Sequence, residues 1–168
     1  GPIGTLLRQA LTRRLGLPAG RGPLTPETLA LLFAADRTDH LAATIGPAIE
    51  EGQIVLCDRY VHSSLAYQGA ELPMPWVAEI NRMAMPAHLT VFLEVDVPTA
   101  ARRRVARGGV EEHFDAELMQ RRIARRYKQA LTLRAEKERI VVLDGTRPIE
   151  EVTEDILAAI HALPGLPR

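Results

Sequence analysis

The chain has 168 residues, of which 46% are hydrophobic and 25% charged, values that suit one globular domain spanning residues 1–168. Its 21 basic and 21 acidic side chains cancel to a formal net charge of zero, which argues against nucleic acid or an anionic membrane as a partner. The sequence shows no secretory leader and no long apolar span, so we predict a soluble, cytoplasmic protein.

Two helical patterns open the chain. Apolar residues recur at helical spacing over Ile3–Leu15. After a loop rich in glycine and proline, Thr25-Pro26 is a typical helix start. The second helix should run to about Ile45, where Gly46-Pro47 would break or kink it.

Phe33 and Arg37 lie four residues apart in this second helix and therefore share one of its faces. A flat ring beside a guanidinium suits a planar heterocycle, because the ring can stack on it and the guanidinium can donate to a carbonyl edge. A core phenylalanine next to a solvated arginine is the commoner explanation of such a pair. The two residues by themselves leave both interpretations open.

The run Ile54-Val55-Leu56-Cys57 is apolar and is followed at once by charge, which is typical of a buried strand in a parallel sheet. Cys57 would then be a small buried hydrophobe. Ligands of such sheets bind beyond the carboxyl ends of the strands, where Asp58 could hold a metal ion or its waters and Arg59 could clamp a phosphate. A salt bridge at the end of the strand is the alternative. Groups suited to reading a base or a sugar follow on Ser63, Ser64, Tyr67 and Gln68.

Two further apolar runs predict strands, at Leu89–Val95 and Ile140–Asp144. Helical patterns lie at Met74–Met83, from Asp96 (with Asp96 or Thr99 as its cap) to Gly108-Gly109, at Asp115–Ala135 and at Pro148–Ala162. In the first of these helices, Trp76, Val77, Ile80 and Met83 should face inward. Three apolar strands separated by helices predict an α/β protein with a parallel central sheet.

A basic cluster precedes the paired glycines Gly108-Gly109 and consists of Arg102, Arg103, Arg104 and Arg107. Such a segment, over about residues 102–114, is typical of a mobile lid that brings positive charge to phosphates. A solvated basic helix is the alternative.

Longer motifs point to one family. Asp58-Arg59-Tyr60 followed by Ser63–Gly69, and Leu31–His40 upstream, closely resemble the thymidylate kinases. The resemblance covers essentially the whole chain, although His113-Phe114-Asp115 stands where that family has Arg-Phe/Tyr-Glu. It implies a three-layer α/β/α P-loop kinase-like fold and phosphoryl transfer from ATP to dTMP with Mg²⁺, in a cytoplasmic homodimer. Neither nucleic acid nor a membrane would be a partner.

The resemblance also implies roles for individual residues. Phe33 would stack on the base and Arg37 would bond its edge, while Arg59 would bind the phosphate of dTMP. Asp58 would act on Mg²⁺ through water or orient the acceptor, and Arg103 and Arg107 would stabilise the transferring phosphoryl group. The remaining monophosphate pocket would be lined by Ser63, Ser64, Tyr67 and Gln68.

No Gly-x-x-x-x-Gly-Lys-[Ser/Thr] occurs in the 168 residues, although P-loop kinases hold the ATP phosphates with that loop. We therefore expect about one β-α-β unit ahead of Gly1, and the residues that hold the donor phosphates are unknown. Two other functions stay open: a related nucleoside or nucleoside monophosphate kinase, and a kinase-like binding or dimerisation module without catalysis.

Overall fold

The computed structural model of the chain describes residues 1–17, 22–108 and 114–165. These residues form two compact units, Gly1–Met85 and Pro86–Arg168, each of which has its own packing. The expectation of a single domain over residues 1–168 stays a prediction. Within the described ranges, no helix is long and apolar enough to cross a membrane.

The first unit is helical. Its helices are α1 (Pro2–Leu11), α2 (Pro26–His40), α3 (Gly46–Glu50), α4 (Val61–Tyr67) and α5 (Met74–Ile80), with a 3₁₀ turn at Gln68–Ala70. As predicted, the Thr25 side chain caps α2 by accepting the backbone N–H of Thr28 at 3.3 Å. The sequence patterns did not predict α4.

Helix α1 ends at Leu11, four residues before the predicted end at Leu15. The chain leaves the helix because Arg13 has a φ of 57°, which a right-handed helix does not allow. Helix α1 packs closely on α2, since a Cβ atom on Gly4 would lie 2.9 Å from Oδ1 of Asp36. A side chain in place of Gly4 would therefore require the carboxylate of Asp36 to move.

The predicted break or kink at Gly46-Pro47 takes the form of a widened turn. A π-helical segment, Leu41–Ile45, joins α2 directly to α3, and the N–H of Gly46 bonds to the carbonyl of Leu41. Pro47 has no N–H to donate and its ring crowds the preceding turn, so a wider turn lets the helical path continue past it.

The core of the first unit lies around α4 and α5. Val61, Leu65 and Val77 are the largest of its completely buried side chains. The inward face predicted for residues 74–83 is right for Val77 but wrong for Met83, which is 73% exposed. Met83 lies beyond the end of α5 at Ile80, so it no longer follows the helical face.

The predicted strand Ile54–Cys57 is wrong. The segment has no strand pairing, Ile54 is 63% exposed and Leu56 is 83% exposed. Cys57 is exposed as well, so its interpretation as a buried hydrophobe is also wrong. An apolar run becomes a strand only beside another strand that pairs its backbone, and none of the described residues forms one next to this segment.

The second unit contains a small parallel sheet. Strands β1 (Thr90–Glu94) and β2 (Ile140–Asp144) pair in parallel, from Thr90 opposite Ile140 to Glu94 opposite Asp144. Both strands were predicted, so the described part of the protein is a mixed α/β structure with two of the three expected strands. The helices of this unit are α6 (Val97–Ala106), α7 (Phe114–Arg134) and α8 (Ile149–His161).

Local interactions explain where these elements begin and how they pack. Asp96 caps α6 by accepting the N–H of Thr99 at 2.8 Å, which confirms one of the two predicted caps. The carboxylate of Glu138 is fully buried and bonds Arg134 on α7, and Thr90 donates to it at 3.3 Å. This pair therefore ties the end of α7 to the start of β1.

Candidate functional site

A pocket of about 470 Å³ lies in the first unit. Its walls come from α1, α2, the segment after Leu56, α4 and the 3₁₀ turn. The structure brings together in this pocket all seven side chains that the sequence predicted for substrate binding: Phe33, Arg37, Arg59, Ser63, Ser64, Tyr67 and Gln68.

Helix α2 supplies one wall of the pocket. Phe33 and Arg37 both line it, as their four-residue spacing predicts, and Asp36 and His40 extend the same wall. Phe33 is half-buried rather than a core residue, so its ring stays accessible from the pocket. The helix face is thus aromatic at one end and polar over the next two turns.

The guanidinium of Arg37 is fixed by neighbouring elements. It donates to Oδ1 of Asn81, to Oγ of Ser64 at 2.9 Å and to the carbonyl of Tyr60 at 3.4 Å, and it lies 5.4 Å from the centre of the Tyr60 ring. Tyr60 is itself held, because its hydroxyl donates to the carbonyl of Met85 at 2.9 Å. Arg37 therefore has an orientation set by α4 and by the end of α5.

Arg59 lies in the segment just before α4. Its φ is 67°, in the left-handed region that residues other than glycine seldom adopt. Its guanidinium lies 5.1 Å from the centre of the Tyr67 ring, so the ring orients the charge without cancelling it. Unusual backbone angles persist where the surroundings enforce them, and they concentrate at functional sites.

Asp58 is exposed and is not among the pocket-lining residues. No group of three or more acidic, histidine or cysteine side chains in the described ranges could hold a metal ion. A single carboxylate nevertheless fits Mg²⁺, which keeps several waters and uses one or two carboxylates together with substrate phosphates. The role of Asp58 toward Mg²⁺ stays a prediction.

Cys57 also lines the pocket, and its thiol donates to the carbonyl of Arg59 at 3.3 Å. Desolvation of the sulfur raises the pKa of the Cys57 thiol, the nearby charge of Arg37 opposes that rise, and Asp58 adds to it. The residue as a whole is exposed, so the desolvation comes from the pocket wall around the sulfur. The thiol is therefore accessible but mostly protonated at neutral pH.

The two predicted lid arginines lie in the second unit. Arg103 donates to the carbonyl of Gly145 at 2.5 Å and to that of Thr146 at 3.3 Å, and Arg107 donates to the carbonyl of Arg103 at 3.2 Å. The two bonds of Arg103 attach α6 to the turn after β2, whereas the bond of Arg107 stays within its own helical segment. Part of the predicted lid, residues 109–113 with His113, lies outside the described residues.

Sequence reasoning missed four residues of the site. Asp36 and His40 could have been found, because they follow Phe33 at helical spacing on α2. Tyr60 is part of the Asp58-Arg59-Tyr60 motif, but no role was predicted for it. Asn81 carries no signal in the sequence, because its bond to Arg37 joins residues 44 positions apart.

Comparisons with known proteins agree on one family. The sequence model of the family described as Thymidylate kinase matches residues 1–156. A probable thymidylate kinase of Pyrobaculum calidifontis is 40% identical over 162 residues, covering 96% of this chain and 78% of the relative. A thymidylate kinase of Symbiobacterium thermophilum is 39% identical over 178 aligned positions, covering 99% and 78%. One from Thermomicrobium roseum is 40% identical over 165, covering 95% and 75%.

Proposed function

The chain belongs to the thymidylate kinase family, enzymes that phosphorylate dTMP, and we propose that the pocket of its first unit is the dTMP site. The observation that carries this proposal is the convergence of seven side chains predicted from the sequence on one pocket of about 470 Å³. A pocket of that size suits a nucleoside monophosphate. It also offers an aromatic ring, two guanidinium groups and several hydroxyls.

The thymine base would lie along α2. Phe33 presents a half-buried ring for stacking, and Arg37, one turn further, would donate to a carbonyl on the edge of the base. The bonds from Arg37 to Ser64 and to Asn81 support this assignment, because they fix the guanidinium before any ligand arrives. A fixed donor discriminates between base edges better than a mobile one.

The phosphate of dTMP would lie toward Arg59. Arg59 is an exposed residue of the pocket wall and its guanidinium is oriented by the ring of Tyr67, so it can make a bidentate contact with the phosphate. The sugar and the phosphate would be lined by Ser63, Ser64, Tyr67 and Gln68.

The phosphoryl donor we propose is ATP with Mg²⁺. The metal supplies charge neutralisation for the phosphates when it is bound, and Asp58 would hold one of its waters or orient the acceptor. The protein contributes positioning and positive charge, in which Arg103 and Arg107 would take part as lid residues. The 168 residues contain no P-loop motif, so none of them is assigned to the ATP phosphates.

We also propose a cytoplasmic homodimer, as the family resemblance implies. The exposed side chains of Leu6 and Leu11 on α1 and of Leu31 on α2 support an interface on these two helices. Sedimentation should show a dimer at tens of micromolar, and a monomer alone at that concentration would contradict it.

Cys57 offers a direct test of the pocket, because it is the single cysteine of the sequence and lines the proposed site. Alkylation by iodoacetamide, followed on the peptide that contains Cys57, should be slowed by dTMP at its saturating concentration. Thymidine and dCMP should protect less at the same concentration, and inorganic phosphate should protect least. Unchanged alkylation under conditions in which the enzyme is saturated with dTMP would show that the substrate binds elsewhere.

A further inference from the structure

We propose that Asn81 is a positioning residue for the base: it holds the guanidinium of Arg37 in the orientation that recognises the edge of the pyrimidine. This inference rests on the proposed dTMP site. It concerns a residue that lines no part of the pocket and that acts through its contact with Arg37.

The position of Asn81 is suited to this role. It is 3% exposed and follows the end of α5, where its backbone N–H caps the helix by bonding to the carbonyl of Ala78 at 3.2 Å. Its side-chain oxygen accepts Nη1 of Arg37, while Ser64 accepts Nη2. Two acceptors on two different elements therefore fix both terminal nitrogens of one guanidinium, and with them the plane of the group.

The amide of Asn81 can be oriented in only one way. Its Nδ2 donates to the carbonyl of Val77 at 2.8 Å, one helical turn earlier. A carbonyl accepts and never donates, so this bond places Nδ2 toward Val77 and leaves Oδ1 to face Arg37. Because the carbonyl of Val77 holds Nδ2 of Asn81, Arg37 meets the acceptor Oδ1 and not a second donor.

A buried asparagine could be explained by helix capping alone, since its backbone already ends α5. That explanation needs no particular side chain, whereas the side chain spans from α5 to α2 and meets a residue that lines the pocket. Removing the side-chain oxygen would leave a charged donor beside a buried apolar surface. Arg37 would then turn toward other acceptors, including those in the pocket, and lose its preorganised orientation.

The test is a double-mutant cycle on dTMP binding, measured by equilibrium titration of the purified full-length protein. Asn81→Leu keeps the volume and removes both polar groups, and it should weaken dTMP binding roughly tenfold, the scale of one hydrogen bond to a charged group. The KM for ATP should stay unchanged. In an Arg37→Ala background, Asn81→Leu should cause no further loss, because its effect passes through Arg37.

Two more variants separate positioning from stability. Leu7→Ala removes a buried side chain from α1 of the same unit and leaves Asn81 and its carbonyl partner Val77 intact, so it should lower the melting temperature and leave dTMP affinity as it is. Asn81→Asp retains an oxygen acceptor for Arg37 and should bind dTMP more tightly than Asn81→Leu. If Asn81→Leu fails to fold, Asn81→Ala, which also lacks the acceptor for Arg37, replaces it in both Arg37 backgrounds with the same expected result.

The outcomes distinguish the two claims. Weaker dTMP binding in Arg37→Ala together with normal binding in Asn81→Leu would overturn the role of Asn81 and leave the dTMP site intact. An equal loss from Asn81→Leu with and without Arg37 would also overturn it, because the effect would be structural. Normal dTMP binding in Arg37→Ala would overturn both the base site and the role of Asn81.

Discussion

Arg37 in the first unit and Arg103 in the second are both helical arginines with several hydrogen bonds, but their partners differ. Arg37 bonds the side chains of Asn81 and Ser64 and lines a pocket with them. Arg103 bonds the backbone carbonyls of Gly145 and Thr146. The first arrangement fixes a charge beside a cavity, and the second attaches a helix to the turn after a strand.

The comparison shows what a cluster of arginines in a sequence does and does not indicate. Four arginines within the six residues 102–107 made the end of α6 the more conspicuous charged segment, whereas Arg37 stood alone. The contacts in the structure show the opposite order of importance, because Arg37 is the arginine surrounded by other predicted site residues. Substitutions in the two units can test whether the pocket of the first unit binds the substrate and whether the arginines of the second contribute to catalysis.

The largest effect should come from Arg59→Ala. Loss of a bidentate, charge-assisted contact with phosphate should cost about 2–5 kcal/mol and reduce kcat/KM roughly 30- to 5,000-fold. Steady-state kinetics with dTMP as the varied substrate would measure it. Arg82→Ala is the matched control, since Arg82 is exposed in the same unit and forms a surface ion pair with Glu79 at 3.0 Å.

Substitution at position 59 also changes the backbone, because φ there is 67°. Arg59→Gly accepts that angle without strain, so it separates loss of the guanidinium from loss of stability. Both variants should be equally impaired in catalysis. Normal turnover in either folded variant would remove Arg59 from the site.

The second region is tested by Arg107→Ala, with Arg102→Ala as a control on the same helix. If Arg107 stabilises the transferring phosphoryl group, kcat should fall about 100- to 1,000-fold while dTMP affinity is retained. Arg102, which bonds Thr99 at 2.6 Å, should be replaceable without that loss. A wild-type kcat in both variants would assign Arg102 and Arg107 to packing and solvation.

A smaller binding effect is expected for Phe33→Ala. Stacking of a base on an aromatic ring is worth about 1–3 kcal/mol, so dTMP affinity should fall roughly 5- to 150-fold. The KM for ATP should change little. A core role for Phe33 predicts instead a much lower melting temperature, from a cavity that costs about 3–5 kcal/mol, with both substrates affected together.

The smallest effect concerns the cap of the arginine-bearing helix α6. The N–H of Thr99 bonds the carboxylate of Asp96 and is the largest cause that lowers its pKa in the folded state. The stabilising contribution is therefore complete above the ordinary aspartate pKa, about 3.9, and is lost as the pH falls through the lower folded value.

Asp96→Asn preserves a good cap but does not titrate. Its stability should match that of the wild type at neutral pH, and the wild type should lose stability relative to it in acid. Denaturant titrations at several pH values would measure the difference. A difference that stays constant with pH would show that the carboxylate charge makes no contribution.

The sequence predicted the elements whose causes are local. Thr25 and Asp96 cap their helices because a hydroxyl or carboxylate meets an N–H three residues later. Strands β1 and β2 were found because each contains a run of three or four consecutive apolar residues. The strand at 54–57 has the same pattern and does not form, because pairing depends on a neighbouring strand that the pattern cannot report.

The site could be predicted as a set of residues but not as an arrangement. Spacing placed Phe33 and Arg37 on one face, and the family resemblance added the residues from Asp58 onward. Residue spacing could not predict the hydrogen bond from Arg37 to Asn81, because it joins distant parts of the chain. The left-handed backbone at Arg59 was equally invisible, because no glycine or asparagine signals it.

The central claim is that dTMP binds in the pocket of the first unit, with its base on α2. A crystal structure of the full-length protein with dTMP tests this most directly. We expect thymine stacked on Phe33, Arg37 donating to a carbonyl of the base, and the phosphate within hydrogen-bond distance of Arg59. A well-defined nucleotide bound outside this pocket, or with its base away from Phe33 and Arg37, would contradict it.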